Sequence, residues 1–418
     1  MTEPALNTSA SSSTAPISES NPGKLVSAAA LAKPFIDSIT EQITQRVKDG
    51  KSRPRLVGIL ATPSPPSIAY AEWTKKACES VGMEFDIWRT WDQAPGEEPP
   101  SEDDKKPGLE DDVEDLIIAA NADPSVDGIM VYFPVFGGRQ DTYLSQIIKP
   151  SKDVEGLSFS FAWNLYHNVR WIAPSQLGGA PGSTAEGNPA NGGAHDHSLG
   201  TDDVVPSGMV KGILPCTPLG IVKCLEAMQV YDRSLPYGDR LRGKTITVIN
   251  RSEVVGRPLA ALLANDGARV FSVDLGSTQE FSKRAYTTSS EEDKENEDDR
   301  EASQAVKEAR RRNAAQRLRP HHIVRPLPSS STSLESCLAQ SDVVISGVPS
   351  ANFKVPTSQI RQGATCVNFS SEKNFEKDVR TKAGMYLPSV GKMTCTMLQR
   401  NLLRLVEAKG MVEDGSGR

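Results

Sequence analysis

The stretch VINRSEVVGRP (248–258) sets Arg251 and Ser252 directly after an apolar run and just ahead of a Gly256-x-Pro258 that opens a helix. Such a turn aims backbone N–H groups and a helix N-terminus at an anion, so its chemistry is the holding of a phosphate or pyrophosphate. Pro258 suits the first helical turn, where its missing N–H costs nothing. Gly256 lets helix and strand approach closely. The usual GxGxxG is absent, and Asn250 stands where such turns prefer glycine. Asn250 is open to two readings: an amide offered to a ribose or to the turn, or a residue that tolerates a strained backbone angle. The next apolar run, RVFSVD, ends in Asp274, about 20 residues past the turn, where an acid accepts the ribose hydroxyls of a dinucleotide. A 2′-phosphate ~4 Å from that acid would meet a repulsion of ~4 kcal/mol per charge pair at an effective dielectric near ~20. The expected cofactor is therefore NAD rather than NADP.

Other reactive side chains carry less. His195 and His197 lie in a Gly-rich stretch without further ligands, so no metal is expected. The six cysteines, Cys78, Cys216, Cys224, Cys337, Cys366 and Cys395, show no paired spacing and read as reduced thiols.

The elements that position these residues follow from apolar spacing. Residues 25–47 have helical periodicity, and RLVGILA (55–61) is a buried strand. Residues 66–82 form a helix that starts at Pro and ends at Gly82. EFDIW (84–88), LEDDVEDLIIAANAD (109–123) and DGIMVYFPVF (127–136) read as strand, helix and strand. This alternation implies a parallel sheet covered by helices. A second α/β unit follows a helix near Thr217, with strands at 245–250, 269–274, 341–349 and 364–370. An apolar helix at 393–409 is long enough to pack back on another domain. Between these lie three inserts: 91–108, 173–210, and a charged segment at 276–326 whose acidic half precedes a basic half and reads as a solvated loop.

Composition excludes several classes. A net charge of -6 argues against a nucleic-acid partner, and no apolar run approaches the ~18 residues a membrane span needs. The first two dozen residues are rich in Ser, Thr, Ala and Pro, without arginine, and read as a disordered tail (1–24) on a cytosolic protein.

Six motifs in order, YAEWTKKA (70–77), GIMVYFPV (128–135), KDVEGL (152–157), PCTPLG (215–220), NRSEVVGRP (250–258) and SVGKMT (389–394), resemble the methylenetetrahydrofolate dehydrogenases. The resemblance is closest to the monofunctional NAD-dependent fungal branch. It implies two α/β domains: a folate-binding catalytic domain (25–172, completed by the helix 393–410) and a Rossmann-like NAD-binding domain (211–392). It implies oxidation of 5,10-methylenetetrahydrofolate in one-carbon and purine metabolism, and a homodimer. Tyr70 then stacks on the folate ring system, and Glu155, at the acid position of the family's Asp-Val-Asp-Gly, bonds the pterin amino group. Asp153 is the structural carboxylate, and Cys216 is a site residue without a nucleophilic role. Bifunctional members carry Tyr-x-x-x-Lys, whose lysine assists water attack. Here Thr74 takes that place, Lys75 and Lys76 fall off the helix face, and Tyr132 replaces a supporting glutamine. Cyclohydrolase activity is therefore expected to be lost. Tyr70, Thr74 and Cys216 are the catalytic-site candidates, with Tyr132 and Glu155 also at the substrate. On the cofactor side stand Asn250, Arg251, Ser252, Asp274 and Leu275. The strand-end loops Gly347, Val348, Asn368, Phe369, Ser370 and Ser371 border the nicotinamide.

Overall fold

A computed structural model describes residues 22–91, 109–177, 205, 207–283, 303–305, 321–330 and 332–413. The near-continuous apolar runs of the sequence become strands buried on both faces, as helix-covered parallel sheets require. In the N-terminal unit, β2 (Arg55–Leu60) lies between β3 (Glu84–Arg89) and β4 (Gly128–Val131), all parallel. The crossovers are α2 (Pro65–Glu79) and α3 (Leu109–Ala122). Ser64 caps α2 by accepting from Ser67 N, with prolines filling its first turn, and the helix stops at Glu79 rather than Gly82. The expected strand 127–136 ends at Val131. Beyond it Asp141, in α4 (Gly138–Ile147), accepts from the backbone N–H groups of Val135, Phe136 and Gly137 and so shapes the loop.

The C-terminal unit is an eight-stranded sheet in the order β1-β13-β12-β11-β7-β8-β9-β10. Its parallel centre joins β7 (Thr245–Ile249), β8 (Arg269–Asp274), β11 (Val343–Ser346), β12 (Thr365–Asn368) and β13 (Met385–Leu387). α6 (Cys216–Ala227), α7 (Gly256–Asn265) and α8 (Leu334–Gln340) cover it. The mixed α/β, two-domain architecture expected from the sequence is present.

Three boundaries need correction. Lys24, assigned to the tail, and Leu25, assigned to the first helix, form β1 and pair with β13, held there by Gly23 N donating to Arg380 O at 2.8 Å. The charged insert is shorter than 276–326, because β9 (Ser277–Lys283) and β10 (His322–Leu327) add antiparallel strands to the sheet edge. The insert at 173–210 is anchored at both ends. A 3-10 turn at Pro174–Leu177 begins it, and β6 (Val210–Lys211) pairs antiparallel with β5 (Trp171–Ile172). Most of the rest of these segments, most of the insert at 91–108, and His195 and His197 lie outside the described residues.

α9 (Gly391–Glu413) buries Leu398, Leu402, Leu405 and Val406 in the N-terminal core with Leu56, Cys78 and Met130, while its Met393 and Met397 join the core of the large sheet. α1 (Ala28–Lys48) also contributes to the N-terminal core, through Ile39 and Ile43. α5 (Phe159–Tyr166) ties the units further, since Asn265 of α7 donates to Leu165 O at 3.1 Å. Nearby, Arg170 meets Asp266 at 2.7 Å, with both side chains only 15% exposed, and Tyr231 donates to the same carboxylate.

Candidate functional site

Helical spacing puts Tyr70, Thr74 and Cys78 on one face of α2. Tyr70 remains 46% exposed. Its ring meets Tyr132, at the end of β4, edge-on at 5.9 Å and stacks on Trp73. Tyr132 is buried, and its hydroxyl has no hydrogen-bond partner among the described residues. Thr74 is buried beside them, its Oγ1 donating to Tyr70 O at 2.9 Å. Lys75 turns away to Glu79 at 3.8 Å, and Lys76 is exposed. The space on this face is thus held by two tyrosine rings and a hydroxyl; neither Lys75 nor Lys76 reaches it, and Lys392 Nζ lies over the Trp73 ring, 5.7 Å from its centroid.

Glu155 follows a loop built by Asp153. That buried carboxylate accepts from Glu155 N, Gly156 N and Ser158 N at 3.1, 2.9 and 2.7 Å, the structural role expected for it. Burial pushes the Asp153 carboxyl up, against these donors. Glu155 accepts from Val131 N at 3.2 Å, and its backbone carbonyl accepts from Cys216 N at 3.3 Å. Burial raises its carboxyl to about 8, the Val131 donor opposes this, and Asp153 adds to it. Burial also raises the Cys216 thiol, with Glu155 second, so this sulfur stays protonated. Burial, then Cys216, Cys395 and Glu155, raise the Tyr70 hydroxyl, so all of these sit within electrostatic reach of one cleft.

In the C-terminal unit, the turn after β7 explains its unusual asparagine. Asn250 has φ 91°, a left-handed backbone that asparagine tolerates better than most residues. Its amide is already engaged: Nδ2 donates to Gly347 O at 2.9 Å, and Oδ1 accepts from Ser252 N at 2.7 Å. Asn250 therefore ties β7 to the end of β11 and shapes the turn, rather than holding its amide free for a ligand. Ser252 Oγ accepts from Val255 N and Gly256 N at 3.3 Å, capping α7. A Cβ at Gly256 would lie 1.8 Å from Asn250 O, so only glycine permits this approach.

Asp274 stands at the tip of β8, 2.9 Å from Arg251 N and 2.7 Å from Leu275 N. Leu275 is 98% exposed in the hairpin turn that follows. The Arg251 guanidinium, expected at a phosphate or ribose, is bound instead to Ser272 and Ser277.

The strand-end loops are held by a residue that escaped the sequence reading. Asn374 accepts from Ser346 Oγ and Val348 N at 3.0 and 2.7 Å and donates to Val348 O, fastening the Gly347–Val348 loop. Asn368 donates to Ser370 O, Glu372 O and Pro388 O, and Ser370 Oγ donates to Val348 O. Gly347 lies so close to the Phe369 ring that a Cβ there would be 1.9 Å from it, while Ser371 is exposed. No group of three metal-ligating side chains occurs among the described residues.

Geometry of this kind defines a two-domain α/β protein whose C-terminal unit has the turn and strand tip of a dinucleotide-binding fold. Comparison with known proteins narrows the class. Residues 26–155 match the tetrahydrofolate dehydrogenase/cyclohydrolase catalytic domain, and residues 215–288 match the NAD(P)-binding domain of the same family. The chain is 40% identical over 383 residues to methylenetetrahydrofolate dehydrogenase [NAD(+)] of Schizosaccharomyces pombe, covering 91% of this chain and 92% of that one. It is 40% identical over 388 residues to the Saccharomyces cerevisiae enzyme of the same name, covering 93% and 97%. The solved NAD-dependent 5,10-methylenetetrahydrofolate dehydrogenase of S. cerevisiae superposes with a TM-score of 0.70 at 39% identity, over 94% of this chain and 100% of that one. The chain belongs to the tetrahydrofolate dehydrogenase/cyclohydrolase family.

Proposed function

We propose that the protein is an NAD-dependent dehydrogenase that oxidises 5,10-methylenetetrahydrofolate to 5,10-methenyltetrahydrofolate and does not hydrolyse the product. The named relatives support the reaction and the cofactor. The observation that carries the single activity is Thr74, whose hydroxyl is bound to its own helix where a proton-transferring amine would be needed.

The oxidation removes a hydride from the methylene bridge. A nitrogen lone pair of the substrate delocalises into the cation left behind, so no protein base is required. What the chain contributes is positioning, which lowers a barrier by fixing reacting atoms in line. Tyr70 offers its exposed ring to the folate ring system, Tyr132 braces that ring edge-on, and Glu155 receives the pterin amino group. Cys216 lines the cleft as a neutral thiol.

Groups present at the second unit fit a dinucleotide: the tight turn at Asn250–Gly256, the capped start of α7, and the Asp274 carboxylate at a strand tip. The Ser252 turn would hold the pyrophosphate, Asp274 the adenosine ribose with Leu275 beside it, and the loops at Gly347–Val348 and Asn368–Ser371 the nicotinamide side. NAD, when bound, supplies the hydride acceptor. We further assign the protein to the cytosol as a homodimer. No described helix is long and apolar enough to cross a membrane. The reading is tested by mixing purified protein with methylenetetrahydrofolate and either NAD or NADP. NADH formation at a rate far above NADPH formation supports it, and reduction of NADP alone rejects it.

A further inference from the structure

Arg251 carries a charge that a dinucleotide site could use, yet its guanidinium is bound within the protein, to Ser272 and Ser277. Nε donates to Ser272 Oγ at 3.0 Å, Nη1 to Ser277 Oγ at 3.0 Å, and Nη2 to Ser272 O and Ser277 O at 2.7 and 3.1 Å. Ser272 lies in β8 and Ser277 opens β9, one before and one after Asp274 along the chain. The guanidinium therefore spans both limbs of the hairpin whose tip bears that acid. The residues between the limbs, Leu275 and Gly276, are exposed, and Gly276 adopts φ 67°. Left to itself such a tip has little packing to fix it. The backbone of Arg251 completes the arrangement by donating from its N–H to Asp274 Oδ2 at 2.9 Å.

We infer that Arg251 is a positioning residue for cofactor choice. Locked between Ser272 and Ser277, it holds the Asp274 carboxylate where it accepts a ribose diol and repels a 2′-phosphate. This rests on the assignment of Asp274 to the adenosine ribose. It reverses the part an arginine at a dinucleotide turn is otherwise expected to play, since a planar guanidinium is well suited to phosphate. The fixed carboxylate supplies two acceptors to a diol, whereas a mobile one loses part of both the attraction and the repulsion.

The two roles give opposite signs in a binding experiment. Kd values for 5′-ADP and 2′,5′-ADP are measured by calorimetry on the full-length protein, wild type and Arg251→Met, the methionine keeping an apolar stem. If Arg251 positions Asp274, the variant binds 5′-ADP more weakly and 2′,5′-ADP no more weakly. The preference for 5′-ADP then narrows about tenfold. Ser277→Ala, which removes one of the bonds, narrows it in the same direction by a smaller factor, and Arg251→Lys recovers part of the loss. A widened preference in Arg251→Met shows a phosphate ligand and overturns the inference. An equal loss for both nucleotides shows a general structural role and also overturns it. Urea unfolding of each variant identifies any that has lost its fold, in which case Ser277→Ala decides by the same signs. A wild-type protein that binds neither NAD nor 5′-ADP removes the assignment of the adenosine site itself, an outcome distinct from either sign.

Discussion

Replacing Glu155 by glutamine separates what the cleft needs from what the fold prefers. The folded-state carboxyl titrates at about 8 against 4.5 for an unburied glutamate, chiefly through burial. An acid raised in this way binds its proton more tightly in the folded than in the unfolded chain. Its contribution to stability is thus greatest below pH ~4.5 and is lost as pH rises to ~8. At ~1.4 kcal/mol per pH unit, the full shift corresponds to ~5 kcal/mol. Because the side chain keeps part of its surface open to the cleft, solvent screening reduces the expected effect to ~2 kcal/mol. Glutamine preserves an acceptor for Val131 N and carries no charge at any pH. Urea unfolding at pH 5, 7 and 9 should show Glu155→Gln gaining ~2 kcal/mol on the wild type between the first and last conditions. The same variant should lose up to ~100-fold in kcat/KM for methylenetetrahydrofolate, a charge-assisted hydrogen bond being worth ~3 kcal/mol at most. Wild-type kcat/KM should fall as pH drops below ~8, where the carboxylate is neutralised. A stability difference independent of pH would refute the argument that Glu155 is held uncharged by burial.

Other substitutions probe the remaining supports. Asp274→Ser should narrow the preference for NAD over NADP at least tenfold, from the removed repulsion of ~4 kcal/mol; unchanged ratios of kcat/KM would show that another group discriminates. Asn250→Gly should keep the turn, whereas Asn250→Ala, strained at φ 91° and without the bonds to Gly347 and Ser252, should cost ~2 kcal/mol in urea unfolding. Asp266→Ala leaves Arg170 without its buried partner and should cost ~3 kcal/mol by the same measurement; a loss below ~1 kcal/mol would show that the pair is hydrated.

The sequence makes some of this plain and hides the rest for physical reasons. β2, β7 and β8 are legible because strands buried on both faces must be continuously apolar. α7 is legible from its Gly256-x-Pro258 start. β9 and β10 are not, because an antiparallel edge exposes one face. STQEFSK and HIVRPL consequently alternate weakly and blend into charged surroundings. β1 is two residues long and exists only through its pairing with β13. At the candidate site, the sequence nominates Tyr70, Thr74 and Glu155 by motif position and Asp274 by its distance beyond the turn. The inward set of Arg251 was not, since it depends on a hairpin that the sequence does not announce. Asn374 and Asp141 escaped for a related reason: their amide and carboxylate act on loop backbones brought near by the fold.

Oxidation of methylenetetrahydrofolate without addition of water is what a cleft with Thr74 and Tyr132 in place of an amine and its support should perform. Its most direct test follows the decay of 5,10-methenyltetrahydrofolate with and without the purified enzyme, in a preparation that forms NADH from the methylene substrate. Decay should be the same in both samples. Enzyme-dependent acceleration that rises with protein concentration would contradict it.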